Sequence, residues 1–90
     1  MGGRKSQNLL EKAKASPYGW RRPQLVRLYE RYGFAIENGA KHDIVKHPLY
    51  PELRATLTRS SAELHPDYVR HALDMIRKLT ERQKEGEPEE

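Results

Sequence analysis

Apolar residues recur at three- and four-residue spacing in three stretches of the chain and alternate with polar ones in three others. Leu9, Leu10 and Ala13 form one such stripe and predict a helix from Lys5 to Ala15, with Ser6 as its N-cap. Ser16-Pro17-Tyr18-Gly19 breaks it. A second helix follows, with Pro23 in its first turn, where a missing N–H costs nothing. Leu25, Leu28, Tyr29 and Tyr32 share one face of it, and Gly33 ends it. Val69, Leu73, Ile76 and Leu79 or Thr80 mark the buried stripe of a last helix. Leu64-His65-Pro66-Asp67 opens that helix, with Asp67 against the positive end of its dipole.

Between the second and last helices the period changes to two. Phe34–Glu37 and Lys41–His47 read as strands around an Asn38-Gly39 turn, and Leu53–Arg59 as a third, after the loop Pro48-Leu49-Tyr50-Pro51. A three-residue loop through Ala40 would set Ile36 opposite His42 and Phe34 opposite Ile44. That register gathers Phe34, Ile36 and Ile44 on one face and puts His42 at its outer end. His42 and His47 then point to opposite faces. The order α-α-β-β-β-α predicts a two-layer α+β domain, a three-stranded antiparallel sheet packed on one face by helices.

Ninety residues hold one core. The expected domain is residues 1–82, with 83–90 an acidic, disordered tail. No apolar run approaches the ~20 residues of a membrane span, and Met1-Gly2-Gly3-Arg4-Lys5 does not resemble a secretory signal, so a cytoplasmic protein is expected. Without cysteine there is neither a disulfide nor thiolate chemistry. Charge is more telling in its distribution than in its sum of +4: residues 1–59 carry 12 basic and 5 acidic side chains, residues 60–90 carry 5 and 8. A polyanion such as RNA or DNA suits the basic part, although the same lysines and arginines would also serve as solvated helix faces.

Several motifs then carry a resemblance. Gly33-Phe34, Ile36, Gly39, His42, Ile44-Val45, Lys46 and His47-Pro48 follow one another as in HicA-type toxins, the small RNA-cleaving members of bacterial toxin–antitoxin pairs. The segment from Leu9-Leu10-Glu11-Lys12-Ala13 through Ser16-Pro17 and Trp20 to Leu25–Phe34 is similar to the helices that precede the hairpin in longer members. Leu64-His65-Pro66-Asp67-Tyr68-Val69 resembles the closing helix. The match spans roughly residues 5–80. Lys41 stands where the family usually has serine, and Gly39 lies one residue further from the histidine. The resemblance implies a fold like that of double-stranded-RNA-binding domains, messenger RNA as substrate, a HicB-type antitoxin as partner, DNA contact only through that complex, and His42 as the catalytic residue. No cofactor or metal is implied.

The residues can support such chemistry. Attack of a ribose 2′-OH on the adjacent phosphorus needs a base, an acid for the leaving 5′-oxygen, and cations for the phosphorane oxygens. A neutral imidazole at His42 suits the first role. Lys41 and Lys46 are the nearest cations; Arg21, Arg22 and Arg59 are further candidates for gripping RNA. The acid is open: His47, a water, or His42 acting in turn. Zinc ligation by the four histidines is disfavoured by their spacing. Tyr18 and Trp20 beside Arg21-Arg22 could stack bases, but packing under the hairpin is the better expectation. His65 is expected to cap a helix and His71 to face solvent. Two other functions compete with the nuclease: an RNA-binding module without catalysis, and a chain acting mainly through protein contact.

Overall fold

A computed structural model, describing the backbone of residues 2–86 and the side chains of 9–84, carries the six elements in the order the hydrophobic pattern predicts. They are α1 (Gly2–Ala15), α2 (Arg22–Arg31), β1 (Ala35–Asn38), β2 (Asp43–Lys46), β3 (Arg54–Leu57) and α3 (Pro66–Gly86). The class is α+β, and the strands form one antiparallel sheet in the order β1-β2-β3. α1 begins at Gly2, so Ser6 lies within the helix rather than capping it. α3 continues four residues past its expected end at Arg82, and the remainder of the expected tail, residues 87–90, lies outside the described residues.

The helical stripes form the core. Ala13, Leu25, Leu28, Tyr29, Val69, Ala72, Met75, Ile76 and Leu79 are buried, with Leu9, Leu10, Tyr32 and Leu73 packed at the margin. Each fully buried aliphatic side chain stabilises the fold by about 1.5–3 kcal/mol relative to exposure. Trp20 is closed off completely, so it is a core residue and not a base-stacking surface. Its Nε1–H donates to the Ser16 carbonyl (3.1 Å), and the Lys12 ammonium lies 5.8 Å from the ring centroid.

α2 ends where Gly33 adopts φ +87°. The Gly33 N–H donates to Glu30 O (3.0 Å) and the Phe34 N–H to Tyr29 O (3.1 Å), the paired bonds of a Schellman cap. A Cβ at Gly33 would also sit 3.2 Å from the His47 Nε2 atom. Both constraints act against a side chain. Gly33→Ala is expected to lower stability by about 1–2 kcal/mol, the cost of a left-handed non-glycine residue, as measured by urea unfolding.

The hairpin departs from the expected register. Ile36 pairs with Val45 and Asn38 with Asp43. The pairs Ile36–His42 and Phe34–Ile44 are not made, and the connection Gly39–His42 has four residues, not three. The inner face of β2 is Asp43, Val45 and, just beyond the strand, His47, all buried; Ile44 is on the outer face. His42 consequently leaves the apolar face and becomes an exposed loop residue. The physical reason is that Asp43 can be buried because distant arginines satisfy it.

Candidate functional site

Asp43 opens β2 with its side chain turned under the sheet, only 2% exposed. A carboxylate there needs partners, because an unpaired buried charge is strongly destabilising. The two oxygens are satisfied separately. Arg59 Nε donates to Oδ1 (2.8 Å), and Arg22 Nη2 donates to Oδ2 (2.6 Å). Arg22 reaches this position from the first residue of α2, and its Nη1 also donates to the Thr58 carbonyl (3.1 Å). Arg59 lies just past β3, after Thr58, and its Nη2 donates to the Gly39 carbonyl.

These bonds fix the charge state of Asp43. The Arg59 hydrogen bond, with the nearby charges of both arginines, holds the carboxyl below its ordinary value despite the opposing effect of burial. A depressed native pKa contributes stability that is present above the unfolded carboxyl pKa, about pH 4, and is lost as pH falls through the native value. Urea midpoints recorded between pH 5 and 2.5 should therefore fall less for Asp43→Asn than for the parent. The Asp74 carboxyl is likewise held below its ordinary value by its Arg77 and Lys78 partners and is common to both proteins, so the difference reports Asp43.

The loop itself closes tightly. A Cβ on Gly39 would lie 2.3 Å from the His42 carbonyl oxygen, so only glycine fits without the loop moving. The turn assigned to Gly39 is therefore a close backbone approach. Lys41 and His42 project from it, both exposed, and no hydrogen bond or ion pair ties either side chain to another described residue.

The other predicted residues are distributed unequally. Arg59 stays at the loop, 44% exposed despite its bonds. Arg21 donates through Nη1 to the Ser61 carbonyl (2.8 Å); together with Gly19 N–H to Glu63 and Leu64 N–H to the Trp20 carbonyl it ties residues 61–64 to the start of α2. Lys46 lies at the opposite end of β2, about 13 Å from His42 by strand rise, and pairs with Glu37 (3.5 Å) on the outer face beside Arg54.

His47 is buried one residue further on. Its ring meets Phe34 edge-on (5.1 Å, 88°) and tilts against Tyr50 (5.2 Å), and Nδ1 accepts the Leu49 N–H (3.1 Å). The structure does not bring it to His42; it serves the core. His65 caps α3, its Nδ1 accepting the Asp67 N–H (3.1 Å), and His71 is exposed. Both line a groove of about 580 Å³ between α2, β3 and α3, to which Lys41 and His42 do not contribute. Among the described residues no group of three His, Asp or Glu side chains is placed to hold a metal, and no helix is long and apolar enough to cross a membrane. Tyr18, 61% exposed, lies under Arg70.

Sequence reasoning missed Asp43. Its partners are 21 residues before it and 16 after it, and no local pattern marks such a pairing. The one available hint was an aspartate beginning a strand in a chain rich in arginine.

What the fold and site define is a small α+β protein with an exposed imidazole on an arginine-anchored hairpin loop. No protein-family model matches the chain, and no curated protein or solved structure matches it significantly.

Proposed function

We propose that the chain is a metal-independent endoribonuclease acting through the Gly39–His42 loop. In the terms of the HicA resemblance, it would be a cytoplasmic toxin that cleaves messenger RNA and is restrained by a HicB-type antitoxin covering the basic half, with DNA contacted only through that complex. The observation that carries this reading is the exposed His42 imidazole, next to Lys41 in sequence, on a loop whose first residue and following Asp43 are both bonded by the half-exposed Arg59. His42 takes the proton from the ribose 2′-OH, the 2′-oxygen displaces the 5′-oxygen from phosphorus, and the leaving 5′-oxygen takes its proton from water or from the His42 imidazolium in turn. Lys41, exposed on the same loop, is the cation for the phosphorane oxygens, with the exposed part of Arg59 adding positive charge at the loop. Lys46 and Arg54, on the outer sheet face, suit a neighbouring stretch of the RNA backbone rather than the reacting phosphate. The element order α-α-β-β-β-α is compatible with the double-stranded-RNA-binding-domain-like fold that the resemblance implies.

A second reading is a non-catalytic RNA-binding module, recognising phosphates and 2′-hydroxyls alone. It is favoured by the burial of His47 and the full engagement of Asp43, which leave no second acid–base side chain bonded to His42 among the described residues. Expression of the parent and His42→Ala chains, with growth and RNA integrity as readouts, separates the two. The nuclease predicts growth arrest and RNA loss with the parent only; intact RNA with both chains, together with salt-dependent RNA binding, supports the module.

A further inference from the structure

We propose that Asp43 is the positioning residue of the His42 loop, acting through Arg59 to fix both ends of the Gly39–His42 segment. This rests on the nuclease reading for its catalytic consequence and on geometry for the rest. The C-terminal end of the loop is fixed directly, because Asp43 is the residue after His42 and its side chain is locked under the sheet by two arginines. The N-terminal end is fixed at one remove. The Arg59 guanidinium that donates Nε to Asp43 also donates Nη2 to the Gly39 carbonyl. One planar fork thus spans from the residue after the loop to the first residue of the loop. Arg22 braces the same carboxylate and, through the Thr58 carbonyl, the backbone next to Arg59.

Each part is chemically specific. A guanidinium presents its donors in a rigid, planar fork and so holds the carboxylate and the carbonyl in one fixed geometry; a lysine ammonium has three donors but no fixed fork, on a shorter and flexible stem, and holds the two less firmly. Only glycine at position 39 lets the His42 carbonyl close onto the start of the loop. The imidazole therefore stands on backbone ordered before RNA arrives. That matters because a misplacement of about 1 Å in a reacting group can cost about 10²-fold in rate. The arrangement also gives Arg59 a different duty from Lys41. Its charge is partly spent inside the protein, and its principal role is to hold the loop.

The test uses the full chain and compares the parent, Asp43→Asn and Arg59→Lys. Two quantities are measured: kcat and KM for RNA cleavage in EDTA, and amide hydrogen exchange at residues 39–42 against Val45 and Leu57 in the sheet. Both variants are expected to lose about 10- to 100-fold in kcat, with KM changed less than about threefold, the pattern of an interaction that matters in the transition state. Residues 39–42 should exchange faster while Val45 and Leu57 stay protected. Arg59→Lys keeps the charge and leaves the Asp43–Arg22 pair in place, so it remains informative if Asp43→Asn fails to fold. A raised KM with unchanged kcat and unchanged loop exchange in Arg59→Lys would overturn the proposal and make Arg59 an ordinary RNA ligand. If the parent does not cleave RNA, the nuclease reading fails by itself. The exchange comparison then still decides the proposal: unaltered exchange at 39–42 in both variants rejects it.

Discussion

His42→Ala is expected to slow RNA cleavage by about 10²–10⁴-fold, the usual contribution of a positioned general base, or roughly 3–5.5 kcal/mol of transition-state stabilisation. The protein should remain as stable as the parent. His42 is exposed and bonded to no described residue, and surface substitutions of that kind usually fall within about ±0.5 kcal/mol. Loss of rate without loss of fold is the signature that distinguishes a chemical role from a structural one. The complementary substitution at His47 would not be so clean, because that ring packs against Phe34 and Tyr50. The assay is initial rate of cleavage in EDTA, accompanied by a urea melt of each protein. Equal rates for the parent and His42→Ala would remove His42 from the mechanism.

The largest effect on stability is expected at Trp20. Trp20→Ala empties the space of a fully buried indole and leaves the Ser16 carbonyl without its donor. Large-to-small changes of this kind cost about 3–5 kcal/mol. A 90-residue domain has a total stability of roughly 5–14 kcal/mol at the usual value per residue. The substitution therefore removes about a fifth of the total or more, and thermal unfolding should show a large fall in Tm or no cooperative transition. Trp20→Phe keeps most of the apolar contact and should cost less. A melt of Trp20→Ala superimposable on the parent's would contradict the placement of this residue in the core.

The helices and their inward faces were legible because their signals are local. Leu25, Leu28 and Tyr29 announce a stripe, Gly33 announces a C-terminus, and both hold in the structure. The hairpin register was not legible. In His42-Asp43-Ile44-Val45-Lys46-His47 either Ile44 or Val45 can be taken as the inward residue, and counting apolar side chains favours Ile44. The chain instead turns Val45 inward together with Asp43 and His47. Burying a carboxylate is acceptable only because Arg22 and Arg59 arrive from outside the hairpin. One register choice moved His42 from an apolar face to an exposed loop, turned His47 inward, and placed a buried aspartate directly after the loop. The basic side chains Arg21, Arg22 and Arg59 were legible as charge. Their internal bonds to Ser61, Thr58, Asp43 and Gly39 were not, because each joins segments at least 16 residues apart.

The proposed reaction cuts RNA by using the substrate's own 2′-hydroxyl at the His42 loop. The most direct measurement incubates the purified protein in EDTA with an RNA and with the same sequence made of DNA, and identifies the ends of any products. Attack by the 2′-hydroxyl cuts only the RNA and leaves a 2′,3′-cyclic phosphate and a 5′-hydroxyl. An uncut RNA, cleavage that requires a divalent cation, or equal cleavage of the DNA strand would contradict it.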